Sequence, residues 1–219
     1  MNRTVAPIQA DLREPSTVRY PLPREFYQPT AKTVASRLLG HWLVRNWLGE
    51  ETCGVIVETE AYLSDDPACH GASGVTDRNR SMFGGPGHAY VYFIYGAHFC
   101  VNAVCRPAGV GEAVLIRAIE PVAGENLMRV RRPVALRREL TSGPAKLCQA
   151  MNIDRQLDGV DLCDSESPLW IAANPDRQRF VRNQGPCIAG RRIGISRAAH
   201  LLLRFYLARS GFVSTRIPG

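Results

Sequence analysis

Between residues 89 and 105 two strand-like runs, 89–95 and 99–105, flank the short break Gly96-Ala97-His98. Aromatic and β-branched residues on both sides of so short a turn predict an antiparallel hairpin with an aromatic entry to its tip. A second hairpin is predicted upstream. There the strand beginning at Trp42 to Arg45 and the run Cys53 to Tyr62 bracket a turn at Gly49 and Glu50. Ala113 to Ile119 adds another apolar strand, and Ile193 and the run Leu201 to Ala208 read as late strands. The expected fold class is α+β, a single domain with a mixed, mainly antiparallel sheet and peripheral helices.

The helical signals are fewer. Thr30 followed by Val34, Leu38 and Leu39 reads as a capped amphipathic helix closed by Gly40. From Pro121 onward a helix is predicted that leads into the basic stretch Arg129 to Arg138, and Ser142-Gly143-Pro144 precedes a short helix over 145–151. Residues 64–88 form a long loop rich in Ser, Asp, Gly, Pro and Arg, a length that itself suggests function. Residues 164–190 read as irregular, and there are no internal repeats.

A chain of 219 residues accommodates one well-buried domain and not two full-sized ones with linkers. The domain is expected over 25–219. Residues 1–24, which mix charges with four prolines and lack the apolar core of a secretion signal, read as a flexible arm. The expected location is therefore cytoplasmic. No apolar run approaches the roughly 18 to 20 residues of a membrane helix. Seven Cys form an odd set with no C-x-x-C pair, which argues against a disulfide framework and against a zinc ribbon and leaves reduced, mostly buried thiols. The net charge of +7 rests on 25 Arg and two Lys, Lys32 and Lys146. Such a surface concentrates polyanions, although an Arg bias also follows from genome composition. Two lysines leave few candidates for Schiff-base chemistry.

On a strand, residues two apart share a face, so Glu58, Glu60 and Tyr62 point one way and Val57, Thr59 and Ala61 the other. Two carboxylates about 7 Å apart suit one acid that acts while its neighbour tunes it, or two solvated acids. Tyr90 and Tyr92 share a face of the next ribbon, and Tyr95 lies opposite at its end. An aromatic stripe is core packing or a platform for a flat ring; a ring at an exposed hairpin tip has little core to fill. His70 taken alone is a loop or core histidine, with no partners at metal spacing. Arg78 and Arg80 either neutralise phosphates or face water.

Taken together and in order, Val57-Glu58-Thr59-Glu60-Ala61-Tyr62, His70, Arg78-Asn79-Arg80-Ser81-Met82-Phe83, Tyr90-Val91-Tyr92-Phe93-Ile94-Tyr95-Gly96 and Ser142-Gly143-Pro144-Ala145-Lys146-Leu147-Cys148 resemble the alkyladenine (3-methylpurine) DNA glycosylase family. The similarity runs from about residue 30 to 215. It implies a monofunctional glycosylase, working in base excision repair as a monomer on double-stranded DNA, that flips out alkylated or deaminated purines and hydrolyses the N-glycosidic bond without metal or cofactor. It implies a fold like the C-terminal domain of formyltransferases, with a protruding, DNA-intercalating hairpin. Location would be nucleoid-associated in a bacterium and nuclear in a eukaryote.

Residue by residue, the resemblance makes Glu60 the general base, Arg117 a holder of the nucleophilic water and Ile193 a backbone contact to it. It makes Tyr62, His70 and Tyr92 the rings that sandwich the base, Asn102 a discriminating residue of the pocket floor, and Tyr95 the plug that fills the vacated stack. Thr76, Arg78 and Lys146 become contacts to the DNA backbone. Ala97-His98 at the tip and Asp77 before Arg78 depart from the family pattern. Two other readings remain. A bifunctional lyase needs an amine in the pocket, and a non-catalytic nucleic-acid-binding module needs no acid on the strand.

Overall fold

The computed structural model describes residues 19–215. Among these described residues eight strands form one sheet: β1 (Trp42–Trp47), β2 (Glu50–Tyr62), β3 (Ala89–Ile94), β4 (His98–Cys105), β5 (Glu112–Ala123), β6 (Leu169–Ala172), β7 (Cys187–Gly190) and β8 (Arg204–Leu207). The path runs β3-β4-β5-β2-β1-β6, and β8 joins β2 to β7. Every pairing among these strands is antiparallel, so the mixed sheet expected from sequence is replaced by a uniform one. Both predicted hairpins form, since adjacent runs pair with minimal loop closure.

β2, thirteen residues long, is the spine. One edge pairs with β5 along its length, while the other pairs first with β1 and then, over Glu58 to Glu60, with β8. Register shifts against β5 between Ile56 and Thr59 mark a bulge beside the two acids. Such irregularities re-aim side chains near functional sites.

The period-two alternation sorts the sheet into two faces. Val57, Ala61, Val91, Val101, Ala103, Val114, Ile116 and Ala118 join the main core with the helices α1 (Ala31–Leu38) and α3 (Pro144–Ala150). Tyr90, Tyr92, Cys100, Val104, Ala113 and Leu115 point the other way and are covered by Cys69 and Met82 from the long loop. Thr30 caps α1 by accepting the Thr33 amide, and Ala31, Val34, Ala35 and Leu38 are fully buried. Each Val or Leu so buried contributes about 1.5 to 3 kcal/mol.

Further sequence expectations are corrected. The helix expected from Pro121 begins only at Glu125, as α2 (Glu125–Arg131), because β5 continues through Ala123. Gly124 makes that junction at φ +68°, and a Cβ there would collide with the Glu51 carbonyl oxygen. The stretch 164–190 is not irregular but holds β6, α4 (Arg177–Gln184) and β7; α4 buries none of its residues, so no apolar stripe announced it. Ile193 lies outside any strand, and the last strand is shortened to β8. Of the expected arm, residues 1–18 lie outside the described residues. Residues 19–24 pack against the body: Arg19 pairs with Glu51 at 2.6 Å, the Leu22 amide donates to the Ile171 carbonyl at 2.8 Å, and Arg24 pairs with Asp161. No helix among the described residues is long and apolar enough to cross a membrane.

Candidate active site

Glu58 and Glu60 share a face of β2 as predicted, but neither is solvated, since both are 0% exposed. Cations from the two flanking strands make this burial tolerable. Arg117 on β5 places Nε 3.0 Å from Glu58 Oε1 and Nη1 3.2 Å from Glu60 Oε1, and Arg204 on β8 places Nε 2.7 Å from Glu58 Oε1. Burial by itself lowers the Arg117 pKa, but the Glu60 and Glu58 carboxylates outweigh it and the net shift is upward. The guanidinium stays charged between its two acids.

Beside this ion pair with Arg117, Glu60 accepts two hydrogen bonds, from the Ile193 amide to Oε1 at 2.8 Å and from the Tyr62 hydroxyl to Oε2 at 2.9 Å. Burial, then the neighbouring Glu60 charge, raises the Tyr62 pKa, so this phenol remains a donor. A carboxylate offers about four acceptor positions, and these two hydrogen bonds together with the Arg117 ion pair leave room on Glu60 for a further donor. Glu60 itself lies behind the wall of a cavity of about 290 Å³ that is lined by its three partners, Tyr62, Arg117 and Ile193. That size is at the lower end for small-molecule pockets and suits a single flat ring.

Tyr62 bounds this cavity together with His70 and Tyr92. His70 and Tyr92 pack edge to face with centroids 4.6 Å apart, and Tyr90 holds His70 through a 2.9 Å contact between its hydroxyl and Nδ1. Burial, then the charge of Arg78, lowers the His70 pKa, which favours a neutral imidazole. Asn102 lines the same cavity, with its amide nitrogen donating to the Tyr90 carbonyl at 2.9 Å. Tyr95, with φ +53° in the hairpin turn, is 81% exposed yet also lines the cavity. It stands at the mouth, where the sequence had separated it from the pocket wall. Strand alternation does not extend into a left-handed turn residue.

The remaining sequence candidates lie outside this cavity. Arg78 donates to the Phe93 carbonyl at 3.1 Å and lies 5.8 Å from the Tyr92 ring centroid. Thr76 is tied to Asn79, whose buried amide also donates to the His70 and Gly74 carbonyls and so stitches the loop that delivers His70. Lys146 lines a second, basic depression with Arg137, Arg138 and Ser214. No group of His, Cys, Asp and Glu among the described residues could hold a metal ion.

Sequence reasoning missed Arg192, Asp66, Arg204 and Ser214. Arg192 is buried, pairs with Asp66, donates to the Ala61 carbonyl at 3.0 Å and lies 4.7 Å from the Tyr62 ring centroid. Because Tyr62 lines the cavity and Arg192 does not, the guanidinium covers the outer face of the ring and leaves the inner face free. Arg204 had a signal, a lone charge within the apolar run 201–208.

A buried, arginine-held carboxylate behind a ring-sized aromatic slot is the arrangement of a class of proteins able to hold a flat ring with an acid beside it. The methylpurine-DNA glycosylase (MPG) family description matches residues 25–211. The chain is 45% identical over 195 residues to a Carboxydothermus hydrogenoformans protein provisionally named a 3-methyladenine DNA glycosylase, covering 89% of this chain and 99% of that one. A Methanoculleus marisnigri protein with the same provisional name is 49% identical over 197 residues, with the same shares covered. One from Francisella tularensis is 44% identical over 182 residues, covering 83% and 92%. The chain belongs to the methylpurine-DNA glycosylase family, and with it to the DNA-repair hydrolases that act on N-glycosyl bonds.

Proposed function

We propose that this enzyme is a monofunctional glycosylase that acts as an intracellular monomer on double-stranded DNA. It flips out a damaged purine and hydrolyses its N-glycosidic bond, with 3-methyladenine and 7-methylguanine as substrates and hypoxanthine and ethenoadenine as further ones. The observation that carries this reading is the placement of Glu60 directly behind a slot bounded by Tyr62, His70 and Tyr92. The relatives' provisional names supply 3-methyladenine.

Extruding a base from the stack costs a few kcal/mol. Tyr95, exposed at the hairpin tip and bordering the slot, offsets this by entering the gap in the duplex. Stacking between the inner face of Tyr62 and the His70–Tyr92 pair returns roughly 1 to 3 kcal/mol per contact. A purine methylated at N3 or N7 carries positive charge, and electron-rich rings favour it by cation–π attraction. Asn102 reads the ring edge at the pocket floor. Thr76, Arg78 and Lys146 meet phosphates outside the slot.

As the bond to the base lengthens, the sugar gains oxocarbenium character. The Glu60 carboxylate stabilises that charge and polarises a water bound at its remaining acceptor position, with Arg117 and the Ile193 backbone framing the water. The water adds to the sugar carbon, its proton passes to Glu60, and the bonding pair leaves with the base. Neither lysine lines the cavity, which supports the monofunctional reading. Chromatography of free base released from duplexes that each carry one of the four lesions tests the proposal. Release of 3-methyladenine at an unmodified rate by a Glu60→Gln variant would overturn it, as would a covalent protein–DNA adduct trapped by borohydride.

A further inference from the structure

Glu58 is held by more donors than Glu60. Its Oε1 accepts from Arg117 Nε at 3.0 Å, from Arg204 Nε at 2.7 Å and from the Ser214 hydroxyl at 2.8 Å, while Oε2 accepts the Ser214 amide at 2.6 Å. Arg117 completes the circuit with Nη2 donating to Ser214 Oγ at 3.3 Å. Arg204 also donates to the Thr215 carbonyl and lies 4.5 Å from the Tyr206 ring centroid. A serine 156 positions from Glu58 in sequence therefore meets both Glu58 and Arg117.

Arg117 presents three nitrogens to three partners, Glu58, Ser214 and Glu60. Two of these contacts determine how the third is made. A free guanidinium prefers a two-pronged pair with a carboxylate. Such a pair with Glu60 would occupy both of its oxygens, including the position left for water, and would neutralise the charge that the sugar cation needs. With Nε engaged by Glu58 and Nη2 by Ser214, Arg117 reaches Glu60 through Nη1 alone.

We propose that Glu58, clasped by Arg204 and by the Ser214–Thr215 segment, is a positioning residue that holds Arg117 single-pronged against Glu60 and so keeps that carboxylate available for the reaction. This rests on the reading of Glu60 as the acting carboxylate. Glu58 touches neither base nor water; it acts through Arg117. The C-terminal stretch is in this way part of the catalytic apparatus, although Ser214 faces the second depression rather than the base cavity.

Single-turnover release of 3-methyladenine from methylated duplex DNA, set beside affinity for an abasic-site duplex and thermal melting, tests this in Ser214→Ala, Ser214→Thr and Glu58→Gln. Ser214 is only half-buried, so Ser214→Ala remains informative if Glu58→Gln does not fold. Loss of a hydrogen bond to a charged group is expected to slow cleavage by Ser214→Ala about tenfold. Glu58→Gln is expected to slow it further, both with duplex affinity unchanged, while Ser214→Thr, which keeps the hydroxyl, restores the rate. A wild-type rate in Ser214→Ala, a loss of affinity in step with rate, or a lowered melting temperature alone overturns the positioning role. Those results leave the Glu60 reading standing, because Glu60→Gln is still inactive beside an active wild type. An inactive wild type overturns both.

Discussion

Asp66→Asn isolates the buried pair that ties the His70 loop to the segment carrying Ile193. Asp66 and Arg192 have side chains 1% and 0% exposed. Asparagine keeps an oxygen for the Ala68 amide, which Asp66 Oδ1 now accepts at 3.0 Å, but turns the other position into an amide donor facing Arg192. The guanidinium then retains the Ala61 carbonyl and the Tyr62 ring with no direct carboxylate partner. Leaving a buried charge without its partner costs about 3 to 5 kcal/mol, and at roughly 2 to 4 °C per kcal/mol for a domain of this size the lower figure lowers the melting temperature by about 6 to 12 °C. Circular dichroism melts at pH 7 measure it. Adding Arg192→Met removes the stranded charge and is expected to recover part of the loss, while excision stays impaired because Arg192 precedes the Ile193 amide that holds Glu60. A drop of less than about 2 °C in Asp66→Asn, or a double variant no more stable than the single, refutes this account of the pair.

Glu60→Gln is expected to bind lesion-containing duplex as the wild type does and to lose roughly 10²- to 10⁴-fold in single-turnover excision. Tyr95→Ser, at an exposed turn, is expected to change folding stability by less than about 0.5 kcal/mol while weakening lesion-duplex affinity by roughly 1 to 3 kcal/mol, read by fluorescence anisotropy. His41 gives a pH signature: burial, then the charge of Arg177, holds it down at about 4 against an ordinary 6.5. The unfolded chain takes up a proton between those values that the folded protein refuses, so stability present above pH 6.5 declines as pH falls, by at most about 3 kcal/mol. Urea titrations of His41→Gln should show a shallower decline over that window, and an unchanged slope would remove His41 as a cause.

The parts of the site legible from sequence are those in which chemistry follows strand periodicity. Glu58, Glu60 and Tyr62 share a face because residues two apart must, and Tyr90 and Tyr92 do so for the same reason. The hairpins and the α1 cap are equally local. Legibility fails where contacts are distant or weakly patterned: α4 buries no residue, and residues 19–24 are held by partners as remote as Asp161.

As a linear string, the chain specifies two hairpins, a capped helix, an acid-and-aromatic strand face and a family resemblance, all of which depend on neighbours a few residues apart. Only the tertiary structure decides that the acids are buried and paired rather than solvated. It does so by bringing β5 and β8 to opposite edges of β2, so that Arg117 and Arg204 converge on the Glu58 carboxylate from 59 and 146 positions away. It likewise assigns Arg192 to the outer face of Tyr62 and Ser214 to Glu58. Backbone periodicity is short-ranged, whereas the partner of a buried charge is chosen by which strands end up side by side.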